Sequence, residues 1–490
     1  MARILAVTHR HGAGPRTARG QTPHPRPFFN SLLALLLGLL AAAPAASEAL
    51  DPERARDLLA RLLSEDEARR STARAGILAS NDRSLLAALT DALFFAGPAS
   101  RPDVVACLEG LSGERLGSRH RYWVEYLGGH DQIRPHEGYR AWKAALFSRI
   151  DPSFGKFLDP SRPLTVRPEE IVWGGVKKDG IPALKNPRAV GAHEASFLED
   201  SETVFGVGFG GQYRAYPQRI LDWHEMANDT VGRQAFALSY CTLCGAAIAY
   251  ATRLPDGRTL VFGSSGLLYR SNKLMYDEET WSLWSNLTGE PVGGPLASSG
   301  LRLPILPLTV TTWKEWRQKH PETTVVSPDT GYDRDYSAGA AYGRYFASPD
   351  TMFPVWKRDA ALEPKAWVYG LRNGPSAKAY PLETLFAERV VNDRVGALPV
   401  VLVAEPESQS VRAYLRGSRE LAEGPAASQL VDPADGAVFR VEEERLAPSA
   451  AGASPLPRYA GHRAYWFGWY AFFPDTALYE GCPELVKRKP

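Results

Sequence analysis

Two hydrophobic rhythms divide the chain. Between residues 50 and 150, leucines recur at helical spacing: Leu58, Leu59, Leu62 and Leu63, then Leu85, Leu86, Leu89 and Leu93. A period near 3.6 puts these side chains on one face and predicts about six helical segments, separated by short polar or Gly/Pro breaks. Asn81-Asp82 reads as a start signal for one of them. Stacked antiparallel helix pairs, as in helical-repeat proteins, are the expected arrangement. Nothing in this stretch carries a catalytic pattern, so it reads as a helical cap or a partner-docking domain.

After Pro152 the rhythm shortens. Apolar runs at Val204 to Val207, Ala235 to Tyr240, Thr259 to Phe262 and Val400 to Val403 have strand length, and Gly, Pro, Trp and Tyr become frequent. The fold class expected is therefore α+β: an all-α N-terminal domain over residues 50–150, followed by a mainly β region. That β region repeats itself. Phe205-Gly206-Val207, Ala215-Tyr216-Pro217, Asn228-Asp229, Val231-Gly232 and Ala249-Tyr250 recur as Tyr369-Gly370-Leu371, Ala379-Tyr380-Pro381, Asn392-Asp393, Val395-Gly396 and Ala413-Tyr414, at a constant offset of 164. The likeness resumes after a shift. Asp277 with Trp284 resembles Asp432 with Phe439, and Pro321-Glu322-Thr323 resembles Pro474-Asp475-Thr476. Two copies of one module follow, over residues 160–330 and 367–481, joined by a linker at 331–366.

The copies differ at Cys241-Thr242-Leu243-Cys244-Gly245. At the same offset Cys241 meets Glu405 and Cys244 meets Ser408, so the module can fold without the cysteines. The second copy reads strand, turn, strand here (Val400 to Val403, Glu405 to Ser408, Val411 to Leu415), which predicts that the cysteines sit on a hairpin-like turn. A thioredoxin-type C-x-x-C starts a helix instead and draws on its dipole; a hairpin lacks that activation.

Composition and the N-terminus set the compartment. The 490 residues hold 57 basic and 55 acidic side chains, a net charge of +2. Residues 1–45 carry Arg3, Arg10, Arg16, Arg19 and Arg26, no acid, an apolar run from Leu32 to Ala43 and a small-residue site at Ala43-Pro44-Ala45. This reads as a signal peptide. Its removal takes away five positive charges and leaves −3, which argues against a nucleic-acid binder. The mature protein is expected to be extracytoplasmic, periplasmic or secreted, with no membrane span once the signal is gone. Disulfides are permitted there, and the isolated Cys107 and Cys482 are candidates to pair.

Several metal readings of the cysteine turn can be sorted by chemistry. Gly245 allows the tight backbone turn of a metal knuckle. No histidine follows Cys244, which removes the c-type haem pattern, and no second C-x-x-C completes a zinc site. His193, His224 and His320 are the histidines within or near the first module. His224 is the best third ligand: it lies seventeen residues before Cys241, and its second-copy counterpart is Glu388. Two sulfurs and an imidazole suit zinc, or copper with Met275 as a weak fourth ligand. Asp222 and Glu225 flank His224 as neighbours of the ligands or as a base. Downstream, the Gly263 to Gly266 segment reads as a loop whose backbone could cradle a ligand, with Ser265, Tyr269, Asn272 and Asp277 as further contacts. No phosphate-binding G-x-x-x-x-G-K-[ST], G-x-S-x-G or H-E-x-x-H pattern occurs.

Tyr240-Cys241-x-x-Cys244-Gly245, Ser265-Gly266-Leu267-Leu268-Tyr269-x-Ser271-Asn272, Leu274-Met275-Tyr276-Asp277, Ser282-Leu283-Trp284, Thr311-Thr312-Trp313, Ile181-Pro182-Ala183-Leu184 and Arg334-Asp335-Tyr336 together resemble a prokaryotic family, domain of unknown function 3179. The resemblance spans roughly residues 160 to 480 and leaves out the helical N-terminus. It implies an exported protein and transfers no established activity. Thr242 stands where the family pattern leads one to expect proline, a change expected to loosen the turn.

Three functions stay open on this reading: a metal- or cofactor-binding protein using Cys241 and Cys244, a thiol–disulfide redox protein using the same pair, and a module that binds a small ligand or a protein without chemistry.

Overall fold

A computed structural model describes residues 49–450 and 453–481. The proposed signal peptide and Cys482 lie outside the described residues, so neither the signal nor a Cys107–Cys482 pair is addressed by it. Seven helices run from Pro52–Leu62 to Pro152–Phe157. Asp51 and Asp66 accept backbone N–H groups at two helix starts, and Asn81 ends the second helix in the left-handed region. The leucines named above are buried, apart from the partly buried Leu63. Inside the bundle Lys143 is fully buried, with its ammonium 3.0 Å from both Asp91 and the Tyr139 hydroxyl.

The β region shows the duplication element by element. Strands Thr203–Phe209, Gln212–Pro217, Met226–Val231, Gln234–Cys241 and Ala246–Ala251 have counterparts Trp367–Asn373, Ser376–Pro381, Val390–Val395, Leu398–Glu405 and Ser410–Leu415. Helices Gln218–His224 and Leu382–Glu388 also correspond. Each boundary is shifted by 164 residues. The repeated motifs have identical jobs. Tyr216 and Tyr380 donate their hydroxyls to Asp229 and Asp393. Asn228 and Asn392 exchange two hydrogen bonds with the backbones of Phe262 and Leu421. Gly206 and Gly370 lie under Trp316 and Trp469, where an added Cβ would sit 2.2 and 2.0 Å from the ring.

In each copy the first two strands form a hairpin in one sheet, and the next three form an antiparallel meander in another. A third sheet orders Ile171–Trp173, Phe262–Tyr269, Asn272–Asp277, Leu283–Ser285 and Pro291–Gly293 side by side. The copies clasp each other reciprocally. Strand His462–Tyr465 of the second lies against Ala246–Ala251 of the first, and Thr309–Thr312 of the first lies against Ser410–Leu415 of the second.

Two expectations change. The Gly263 to Gly266 segment is a buried strand rather than a loop. Its glycines are required by close approach: Gly266 has φ +81 and would carry a Cβ 2.6 Å from the Val176 carbonyl oxygen, and Gly263 is pressed by the Tyr276 ring. The connecting segment is packed. Arg121 donates to the carbonyls of Thr351 and Phe353, and Val355 and Trp356 are buried, so the helices dock on it.

Candidate functional site

The cysteine turn closes the hairpin between Gln234–Cys241 and Ala246–Ala251, with Cys241 paired to Ala246. The Cys244 N–H donates to the Cys241 carbonyl at 3.2 Å. That i to i+3 bond is a β-turn, which keeps the two Cα atoms within about 7 Å and inside the span a disulfide can bridge. Gly245 leaves the turn at φ +64, and a side chain there would strike Trp367, 2.4 Å from the added Cβ. The Tyr465 N–H closes over the turn, donating to the Cys244 carbonyl at 2.7 Å. Gly468 packs on the cysteine itself, its position for a Cβ lying 2.9 Å from the Cβ of Cys244. The second copy thus supplies one wall of the first copy's site.

Both cysteines are free thiols and buried. Cys244 Sγ lies 3.2 Å from the Ser271 carbonyl oxygen. Ser271, at φ 64, belongs to the tight turn joining Phe262–Tyr269 to Asn272–Asp277. Two residues on, Lys273 is almost fully buried, its ammonium donating to the Glu225 carbonyl at 2.7 Å and lying 3.6 Å from the Glu225 carboxylate. Thr242 Oγ1 donates to the other carboxylate oxygen at 2.9 Å. Far from loosening the turn, Thr242 ties it to Glu225, a hydrogen bond that proline has no donor to make.

The environment separates the two thiols. Burial pushes Cys241 up, but the Cys244 thiol donates to it and the backbone N–H groups of Lys273 and Cys244 point at it. The outcome is a pKa below the ordinary thiol value, against the opposing charge of Glu225. Cys244 goes the other way, raised well above its ordinary value by burial and by the charge it faces on Cys241. Burial pushes Lys273 down, while Glu225 and Cys241 support its charge. Asp222, also buried, has one carboxylate oxygen without a partner among the described residues. Burial raises it to about 7, against a hydrogen bond from Gln218.

The other predicted residues separate into neighbours and bystanders. Asn272 is fully buried beside the Cys244 sulfur, and its amide finds no nitrogen or oxygen partner among the described residues. His224 is turned elsewhere: Nδ1 donates to the Pro182 carbonyl at 2.8 Å, and Nε2 accepts from the Tyr336 hydroxyl at 2.5 Å. With both ring nitrogens engaged, the imidazole serves to join the Ile181-Pro182 and Arg334-Asp335-Tyr336 segments. Met275 sits in a core strand between Ser264 and Trp284. Asp277 accepts from the Thr280 and Ser282 backbones and from the Trp284 indole, so it shapes its own turn. Ser265 bridges the Leu267 N–H and the Leu274 carbonyl at the strand irregularity. Tyr269 packs edge-on against Phe472. Among the described residues, no group of three His, Cys, Asp or Glu side chains is placed to hold a metal ion.

Sequence reasoning passed over Lys273 and the aromatic cover, and misjudged the effect of Thr242. Tyr345 donates to the Leu243 carbonyl at 2.5 Å, and Tyr342 reaches Thr242. Lys273 did leave a signal, a lone charge between Asn272 and the apolar run Leu274-Met275-Tyr276.

The second copy fills the equivalent place with charge. Glu405 pairs with Lys319 at 2.8 Å. Glu315, which corresponds to Gly468 at the later offset, pairs with Arg412 at 3.2 Å. Arg412 also meets Glu443 at 2.8 Å and replaces Ile248 of the first copy.

Compared with known proteins, the chain matches a family model described as a protein of unknown function, DUF3179, over residues 178–476, more than half its length. No curated protein and no solved structure matches it.

Proposed function

The chain belongs to the DUF3179 family of proteins of unknown function, and on that premise we propose that Cys241 and Cys244 form a redox-active dithiol in an exported protein. The carrying observation is the asymmetric pair. One sulfur collects hydrogen bonds from a thiol and two backbone N–H groups beside a buried ammonium, and the other is held protonated next to it. A helix dipole usually performs this task in C-x-x-C proteins; here backbone N–H groups and Lys273 take its place on a hairpin.

The reaction is thiol–disulfide exchange with a substrate disulfide. The Cys241 thiolate attacks one sulfur of the substrate, forming a mixed disulfide and releasing the other sulfur as a thiolate that takes up a proton. Cys244 then loses its proton and attacks Cys241 Sγ, closing the Cys241–Cys244 disulfide. The protein loses two electrons and the substrate disulfide becomes two thiols. Because both sulfurs are buried, reaction requires the Tyr342–Tyr345 cover to move. Removal of the signal into an oxidising compartment suits such chemistry.

The test is thiol trapping of the mature protein across a series of dithiothreitol and glutathione buffers, with metal analysis of the same sample. Expected is a single two-electron transition in which both cysteines become protected together, absent in Cys241→Ser. Lys273→Met is expected to slow alkylation of Cys241 about tenfold at neutral pH, since it removes the nearby positive charge. A pair that stays in one state in every buffer refutes cycling. Stoichiometric zinc or copper, lost on Cys241→Ser, replaces the redox reading with a metal site.

A further inference from the structure

Where the two β modules meet lies a cleft of about 390 Å³ that neither cysteine lines. The first copy contributes Arg302, Leu303, Pro304 and Ile305, and the second Arg372, Arg458, Tyr459 and His462. The volume falls in the range of small-molecule sites, and the mix of an apolar wall with a few polar groups is typical of them.

The charges in the cleft do not balance. Arg302 is paired with Glu290, its Nε 2.8 Å from the carboxylate. Arg458 is paired with Glu443 at 3.4 Å. Arg372 is partly buried, lies over the Phe473 ring with 5.1 Å to its centroid, and has no carboxylate partner among the described residues. Burial pushes its pKa down and the Arg302 charge adds to the effect, while Tyr250 and the Glu290 carboxylate that pairs with Arg302 oppose it. A bare guanidinium in such a place is unfavourable unless an anion joins it. Two further groups on the same wall lack partners. Nε2 of His462, a residue 3% exposed, and Nε of Arg458 are both buried without a hydrogen bond among the described residues.

We propose that this cleft binds a small organic monocarboxylate, with its carboxylate on Arg372 and its apolar body against Pro304 and Ile305. One unpaired positive charge calls for one negative charge. The planar guanidinium fork matches a carboxylate with two parallel hydrogen bonds. The buried His462 imidazole is neutral, since burial and the Arg372 charge lower its pKa to about 3, so it adds a hydrogen-bonding partner without a second charge. The site uses neither cysteine and stands independently of the redox reading.

The experiment is calorimetric titration of the mature protein with acetate, butyrate and benzoate, and with benzamide and inorganic phosphate as counter-probes. Expected is one-to-one binding that strengthens from acetate to benzoate, with benzamide at least tenfold weaker. Arg372→Gln should weaken benzoate at least tenfold. Ile305→Trp, which fills the apolar wall and leaves every charge in place, should do the same, and each variant is checked for folding by its thermal melt. If one variant fails to fold, the other decides. The proposal is overturned if none of the three carboxylates binds, if binding survives in a folded variant, or if phosphate binds more tightly than benzoate.

Discussion

Cys241 and Cys244 share a side chain and lie three residues apart, yet their surroundings push their acidities in opposite directions. What differs is the supply of donors. Cys241 receives N–H groups and a thiol, whereas Cys244 gives its proton to a neighbour and faces negative charge. Asp222 nearby shows the cost of burial when Gln218 alone opposes it as a donor. Its folded pKa of about 7 stands above the ordinary 3.8, so the folded state holds a proton that the unfolded chain has released. The stabilising influence of that proton is complete below about pH 4 and is lost as pH rises through 7. At ~1.4 kcal/mol per pH unit this is a loss of roughly 4 kcal/mol, an upper figure. Asp222→Asn is expected to remove this part of the pH dependence. Urea denaturation of both proteins between pH 4 and 8 checks it: the wild type should lose stability relative to the variant as pH rises. Among these residues, the cysteine pair stands out from its spacing, whereas Asp222 was named only as a neighbour of His224. His224 was legible as special to one copy, but its direction was not. A histidine at the end of a short helix can face either way, and Tyr336, 112 residues later, claims it.

At the level of elements, the hairpin was readable because a duplicated module offers a second copy to read it against. The degenerate turn at Glu405 to Ser408 announces strand, turn, strand, and the cysteine turn follows the same path. Even the backbone detail repeats: Gly245 and its counterpart Gln409 both have positive φ, 64 and 56. The Gly263 to Gly266 segment misled because glycine and serine favour turns; here they allow close backbone contact inside a buried strand. The helix Trp466–Tyr470 matters to the site through one position. Gly468→Ser would place a side chain against Cys244, whose Cβ and Sγ lie 2.9 and 3.2 Å from the new Cβ. Crowding of this kind costs about 1–3 kcal/mol. The expected result is a lower melting temperature together with faster alkylation of both cysteines, measured by thermal denaturation and mass spectrometry. A lower melting temperature with unchanged alkylation would separate Gly468 from the site.

Across the whole molecule, the two copies complete each other. The second copy's Tyr465, Trp367 and Gly468 close the cysteine turn, and the first copy's Glu315 and Lys319 complete the charge cluster around Arg412. The copies thus apply one architecture to two purposes, a thiol pair in one and a buried ion network in the other. Glu443 is held well below the usual carboxylate range by Arg412 despite its burial. Arg412→Ile restores the residue found in the first copy but leaves Glu443 with Arg458 and Glu315 with Lys319 as their remaining cationic partners. Removing one member of such a buried network typically costs 3–5 kcal/mol. Urea denaturation is expected to show a loss of about that size, with partial recovery when Glu443→Gln is added. A loss equal in single and double variants would mean that Arg412 acts through packing rather than charge.

The sequence by itself determined the helical and β halves, the duplication and its offset, the hairpin under the cysteines, and the cysteines as the feature that sets one copy apart. These rest on periodicity and on repeated short motifs, which are local properties. Tertiary structure alone decided that Lys273 rather than His224 faces the thiols, that the connecting segment covers them, and that Arg372 stands between the modules with no carboxylate partner among the described residues. Each depends on which faces meet across segments distant in the chain, and residue spacing carries no record of that.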